Sequence, residues 1–592
     1  MHSDWYLFKD LKRKPLQRNN WIPLRAIEHQ RKIGTFGNIG YLRDTFACGS
    51  VAIPIAHREL AERLGWSDIG LIHETRPYAD EDGYKPADKF LLDWSEPEPS
   101  GVSLVINQSF GFERPAEWHL HQDLVIALGL IREGDVWVRP DEDFIDVVRM
   151  HKDNEGEPKK IEIRTEFLRD YLKARKMALR IAWYRDRDSI IDEAEQIDWR
   201  DEPPTLKEEN YRFEARFHEV HKGSGMPFGG QTAVFTARRT DVYPEDDVPE
   251  FDEEGENNTS SESRTFGDPG EKVFRVEGEI WAEEWIEPAQ FSPRVAYDKP
   301  PSSASFIVDT SGTRETADVL DDEDIGKYLW FRPDVANDIL GRRNGSITWY
   351  TKYTGAVQLT YGYPTHFGIN DLGLLNTYAY DVAKLPEWQR IIWQGYNVAP
   401  DGGVCRELLA AQMEVNPAGT LPPEKHIPIA LRDLEILFGK CFEGRLFRDH
   451  AAKEDILGEV HRFRALRPNG LYDLAKDVTR LVTEDLDVKS LHKIAPPEGK
   501  DGRGSLKSLE RLVAKELANP EDAAHLLSFM HAIYALRGMT SHLPSSDASQ
   551  DPFRMLGIDA NAPTIEQGRQ LLHATMYFLA ELARLLFEKS KS

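Results

Sequence analysis

The side chains best suited to act together on an anion lie in the run AIYALRGMTSHLP, residues 532–544. Arg537 offers a planar fork that grips two oxygens of one anion, which a lysine does less well. His542, an imidazole with an ordinary pKa of about 6.5, can take and return a proton near neutrality. Thr540 and Ser541 add two hydroxyls to the same patch. Ala523, Leu526, Leu527, Met530, Ile533 and Tyr534 share one face of a helix, and the next position on that face is Arg537. An arginine there faces a core or an interface and needs a carboxylate, a carbonyl or a bound anion. Gly538 permits the helix to break and Pro544 discourages its continuation, which places His542 on a turn close to Arg537.

Three other patterns compete. His119 and His121, in EWHLHQDLVIALGL, point the same way on a strand and form a weak alternative metal pair. No third ligand stands near them in sequence, so a hydrogen-bonded structural role is the competing reading. Pro140-Asp141 followed by Glu157-Pro158-Lys159 has the outline of a PD...ExK nuclease, whose acids hold Mg2+. The proline inside the triplet and the polar run HKDNEGEPKK read as a loop where that chemistry needs a strand. The glycines of GTFGNIGY (Gly34, Gly37, Gly40) and GSGMPFGG (from Gly223) lack the Gly-Lys-Ser/Thr ending of a phosphate loop and read as turns. No metal or other cofactor is expected.

The elements that must position these residues change character along the chain. Residues 1–242 mix a strand-like VSLVINQSF (from Val102) with a helical TEFLRDYLKARKM (from Thr165), which is α+β patterning. Residues 243–270 are dense in acids, Ser, Pro and Gly and read as a solvated loop or linker. Residues 271–420 carry aromatic, β-branched runs such as KVFRVEGEIWAEEWI and SITWYTKYTGAVQLTYGY, a β-rich section expected to pack with the first domain. Its aromatic residues, among them Trp330, Trp349, Tyr350, Tyr353, Tyr361 and Tyr363, read as sheet core. Beyond the prolines of Asn416 to Glu424, residues 421–592 show apolar residues three and four apart almost throughout. The last stripe, Leu572, Met576, Leu579, Ala583 and Leu586, belongs to a long helix of an antiparallel bundle. The fold class is therefore α+β: a large mixed region with a β-rich section, followed by an all-α helical bundle.

Composition narrows the functions open to such a chain. Its 592 residues, 40% apolar with 14 Trp, suffice for two to four folded domains. Cys48, Cys405 and Cys441 lie far apart, so neither a disulfide framework nor a cysteine zinc cluster is expected, and a reducing cytoplasm is the natural setting. The start, MHSDWYLFKDLKRKP, does not read as a signal peptide, and apolar runs such as LVIALGLI are too short to cross a membrane. Of the formal charge of −26, residues 421–592 hold 24 Lys+Arg against 25 Asp+Glu, which leaves 50 against 75 in residues 1–420. The acidic front repels phosphate backbones, whereas the nearly neutral rear does not. The acidic run Glu245 to Glu256 reads as a solvated face.

The sequence Arg537-Gly538-Met539-Thr540-Ser541-His542, closing one long helix and followed by a final long amphipathic one, resembles the R-x4-6-H motif of the HEPN superfamily. The resemblance covers about the last 170 residues. It implies a helical domain of the kind found in metal-independent ribonucleases of toxin and anti-phage systems, with Arg537 and His542 as the catalytic pair and Thr540 and Ser541 toward the substrate. It also implies RNA as substrate, products ending in a 2′,3′-cyclic phosphate and a 5′-hydroxyl, and a homodimer formed through the helical domain. The acidic front would then be a sensor that restrains the effector until a trigger, such as a phage component, arrives. One position departs from the family. The residue after the arginine is commonly polar there and is Gly538 here, which favours the alternative of a catalytically inactive dimerisation or partner-binding scaffold.

Overall fold

The computed structural model describes residues 16–35, 39–70, 78–80, 83–85, 89–90, 101–108, 117–191, 205–207, 211–220, 230–239, 274–448, 452–467, 469–497, 504–538 and 550–591. The chain divides into two compact units, Met1–Pro300 and Pro301–Ser592. A mixed α/β region with several sheets precedes a mostly helical region. No helix among the described residues is long and apolar enough to cross a membrane. Cys48, Cys405 and Cys441 are free thiols, and burial pushes that of Cys48 up to about 12.

The first unit is organised by a 13-stranded sheet. Its spine is the strand Met177–Ile191, which pairs antiparallel with Leu42–Pro54 on one side and Phe274–Ile286 on the other. Side chains alternate across a strand, so Leu179, Ile181 and Trp183 enter one core while Ala178 and Ala182 enter another on the opposite face. The larger core is closed by the helix Thr165–Arg175, whose Phe167, Leu168, Tyr171 and Leu172 are buried at the spacing read from the sequence. Gly34 and Gly40, both at positive φ, lie between the paired strands Trp21–Ile33 and Leu42–Pro54, where a turn needs that backbone. The acidic stretch 243–270 lies outside the described residues.

The second unit joins a sheet to a bundle. Six strands run in the order Ser346–Trp349, Thr354–Gln358, Thr365–Ile369, Leu375–Tyr378, Tyr328–Phe331 and Asn397–Val398. The sheet's core includes Trp349, Phe367 and Trp393, and it is completed by Phe463 and Ile565 of the helical segment. Trp349 stacks on Phe463 with ring centroids 5.7 Å apart. Burying one phenylalanine contributes about 1.5–3 kcal/mol, so this region holds to its sheet by more than a linker.

The β-rich section is thus shared between the two units. Phe274–Ile286 joins the first unit's sheet, whereas the strands after Pro301 share a core with the helices. The prolines near residue 420 mark the start of a helix, Pro423–Cys441, with Pro423 at its first turn where no N–H is needed. Of the aromatic residues read as core, Trp349 is buried, while Tyr350, Tyr361 and Tyr363 are exposed.

The bundle itself is built from Pro423–Cys441, Lys453–Glu459, Gly470–Thr479, Val488–Ile494, Ser505–Leu512, Pro520–Gly538, Gln550–Leu556 and Thr564–Lys591. Two of these continue into single π turns, Arg480–Glu484 and Val513–Leu517. The last helix buries Leu572, Leu579 and Leu586 as its stripe requires.

Candidate functional site

Arg537 sits in the last turn of Pro520–Gly538, a helix held by the buried Ala523, Leu526, Leu527, Met530 and Ile533. Tyr534 is not on the buried face. It is half-exposed, because Ala532 and Leu536 take the inward positions near the helix end. The guanidinium lies 5.2 Å from the Tyr534 ring centre, and its side chain is 30% exposed. The arginine is thus at the rim of the bundle and not in its interior.

The partner it meets is a carboxylate. Glu484, at the end of the π turn Arg480–Glu484, accepts a hydrogen bond from the Arg537 guanidinium. A π turn inserts one residue into a helical ladder and re-aims the side chains beyond it, and such turns recur at functional sites. Here it delivers Glu484 and Asp485 together. Asp485 is fully enclosed and takes an ion pair at 3.1 Å from Lys453, whose ammonium also lies over the Phe447 ring. The Arg448 guanidinium donates to the Glu484 carbonyl, while the Arg448 N–H donates to the Asp485 carbonyl at 2.7 Å. Arg537 and Lys453 thus each meet one of two consecutive acids, while Arg448 holds the main-chain carbonyls of the same two residues.

A guanidinium fork at a bundle rim suits one oxyanion centre as well as another. The Glu484 carboxylate offers Arg537 two oxygens on one centre, the same presentation a phosphate makes. Because the pair is partly exposed, water screens it and its contribution to stability is small, about 0–1 kcal/mol. Next to Arg537, Gly538 has open space where a Cβ would lie, with no described atom within 4 Å. Packing does not force glycine there.

Thr540, Ser541 and His542 lie outside the described residues. Glu484, Arg448 and Lys453 were not singled out in the sequence, since they are 53 or more positions from Arg537 and only the folded bundle brings them together. The sequence TEDLD around Glu484 gives no sign of a π turn; its only visible cue is a pair of consecutive acids in an otherwise helical run.

The remaining candidates disperse into local roles. His119 stands in the strand Glu117–Leu120, 3.5 Å from Glu117. His121 has left that strand and caps the helix Gln122–Ala127, its Nδ1 accepting from the Asp123 N–H at 3.2 Å. The same-face geometry needed both histidines in one strand, and the cap ends it at Leu120. Among the described residues no group of three or more His, Cys, Asp or Glu is placed to hold a metal ion. Pro140–Glu142 is a single 3-10 turn. The run HKDNEGEPKK is a turn at residues 153–157 between two strands, Ile145–Lys152 and Pro158–Arg164, the second opened by Pro158. A strand's first residue can dispense with its N–H, which is why proline is accepted there. Lys159 is engaged with Asp153 at 3.2 Å and Asp141 faces Arg139 at 3.7 Å.

Comparison of the chain with protein-family models, with curated proteins and with solved structures gives no match.

Proposed function

We propose that the chain is a metal-independent RNA endonuclease effector in anti-phage defence, with Arg537 and His542 as its catalytic pair and the first unit as sensor or regulator. The observation that carries this reading is the partly exposed guanidinium of Arg537, which meets the Glu484 carboxylate. RNA brings its own nucleophile. His542 would take the proton of the 2′-hydroxyl as its oxygen bonds to phosphorus, Arg537 would hold the phosphorane oxygens, and the bond to the 5′ oxygen would break as that oxygen gains a proton. The products are a 2′,3′-cyclic phosphate and a 5′-hydroxyl. In this scheme Glu484 occupies the phosphate position at rest, and a trigger shifts the population toward the open form, in a homodimer joined through the helical domain.

The test is incubation of the full-length protein with end-labelled RNA in EDTA, with and without extract of phage-infected cells, beside Arg537→Ala and His542→Ala. Cleavage by the wild type alone is expected. Equal cleavage by all three overturns the assignment. A second reading, a catalytically inactive dimerisation or partner-binding scaffold, draws on Gly538 and on the same Arg537–Glu484 pair. It expects a dimer with no RNA cleavage under any of these conditions.

A further inference from the structure

The second unit holds a groove that the ribonuclease reading does not use. It follows the free side of Ser346–Trp349, an edge strand paired on one side only, with Thr354–Gln358. Two adjoining clefts of about 290 and 330 Å3 meet at Ile347, Gly458 and His461. One continues past Ser346 and Gly345, the other past Thr348 and Trp349, so together they track the strand from end to end. The far wall is Lys453–Glu459 and Val460.

Two polar groups in this groove have no hydrogen bond among the described residues. His461 is 6% exposed, and its Nδ1 is buried with no hydrogen bond among the described residues. Trp349 is 5% exposed, and its indole Nε1–H is in the same condition. Groups buried this way are normally satisfied, and each needs an explanation. An antiparallel edge adds alternate main-chain N–H and C=O groups that point away from the partner strand. Burial pushes the His461 pKa down to about 4, so at neutral pH its ring is uncharged and offers both a donor and an acceptor. What the groove lacks is what a peptide backbone supplies: evenly spaced carbonyls and amides along a straight line.

The charges at the two ends differ. Asp455 lines the end beside Ser346 and Lys425 the end beside Trp349, and neither has an ion-pair partner among the described residues. The other charged groups are engaged: Arg467 with Glu459 at 3.9 Å and Glu424 with Arg462 at 2.6 Å. We propose that this groove binds an extended peptide segment of a partner protein as an added strand beside Ser346–Trp349, with a basic side chain at the Asp455 end and an acidic one at the Lys425 end. The site is independent of Arg537, so it stands or falls apart from RNA cleavage.

The experiment uses the full-length protein and three fluorescein-labelled hexapeptides with a Val-Thr-Val-Thr centre: one flanked by Lys and Glu, one by Lys at both ends, one by Glu at both ends. Fluorescence anisotropy at low salt should rank the mixed peptide tightest by roughly fivefold, the effect of one repulsive contact exchanged for an attractive one. Asp455→Lys, an exposed substitution checked by an unchanged melting temperature, should move the preference to the doubly acidic peptide. His461→Phe should weaken the mixed peptide about tenfold, the loss of one buried hydrogen bond. A ranking that Asp455→Lys leaves unchanged, or no saturable binding of any peptide up to roughly 1 mM, about −4 kcal/mol, overturns the proposal.

Discussion

Two arginines of the second unit meet carboxylates in different surroundings. Arg462 is enclosed, its side chain 1% exposed, and gives Nε to Glu424 at 2.6 Å and Nη2 to the same carboxylate at 2.8 Å. Its Nη1 donates to the Lys352 carbonyl at 2.7 Å, and the guanidinium lies 4.1 Å from the Trp349 ring centre. Every face of that group is used, so it fastens the sheet hairpin to the start of the helix Pro423–Cys441. Arg537, at the bundle rim, meets the Glu484 carboxylate and the Tyr534 ring, and its side chain is 30% exposed. The chemistry of the two pairs is alike, and enclosure separates their uses. A dry, bidentate pair cannot trade its carboxylate for another anion without opening the core, whereas a pair at the rim can.

The contrast should be largest in stability. Glu424→Ala leaves the Arg462 charge buried and unmatched, and breaking such a pair costs about 3–5 kcal/mol. Urea denaturation followed by the fluorescence of the second unit's tryptophans should show this as a lower midpoint, and a shift no greater than that of an exposed-pair variant would erase the distinction. Close by, His461 adds a pH term. Its folded pKa of about 4 lies below the ordinary 6.5, so the unfolded chain takes a proton that the folded one refuses. The folded state therefore loses stability as pH falls from about 6.5 to about 4, by about 3 kcal/mol over that window. His461→Phe should flatten that limb of the midpoint-against-pH curve relative to the wild type, because a phenyl ring has no proton to refuse.

Legibility differed between the regions for the same reason. The helices of the rear were visible because their apolar residues recur at helical spacing, and the Thr165–Arg175 helix was placed with its buried face correct. Arg537 was legible as a residue that must find an anion, since it follows a run of apolar positions. Its partner was not: Glu484 comes from a π turn, and nothing in a linear pattern announces the extra residue that aims it. The shared core of the sheet and bundle was hidden too. Phe463 looked like one more bundle residue, although its ring completes the core of the sheet. Arg462 and His461 passed unnoticed in HRFR, because burial of a charged residue is decided by what the distant chain brings to it.

The smallest stability effects carry the sharpest functional content. Arg537→Ala removes an exposed pair and should cost no more than about 1 kcal/mol, yet in the ribonuclease reading it deletes a phosphate contact. The apparent affinity for a single-stranded RNA, measured by filter binding across a salt series, should then fall, with the slope of log K against log salt shallower by about 0.7, the value for one phosphate on a single strand. Glu484→Gln acts in the opposite sense. It keeps the shape of the side chain and removes the charge that competes for the guanidinium, so RNA affinity should rise a few-fold while the melting temperature barely moves. The two variants pull against each other only if a phosphate and the Glu484 carboxylate contend for one guanidinium. If both leave the affinity and its salt slope where the wild type has them, Arg537 is a structural clasp like Arg462 in looser form, and the scaffold reading takes the helical end.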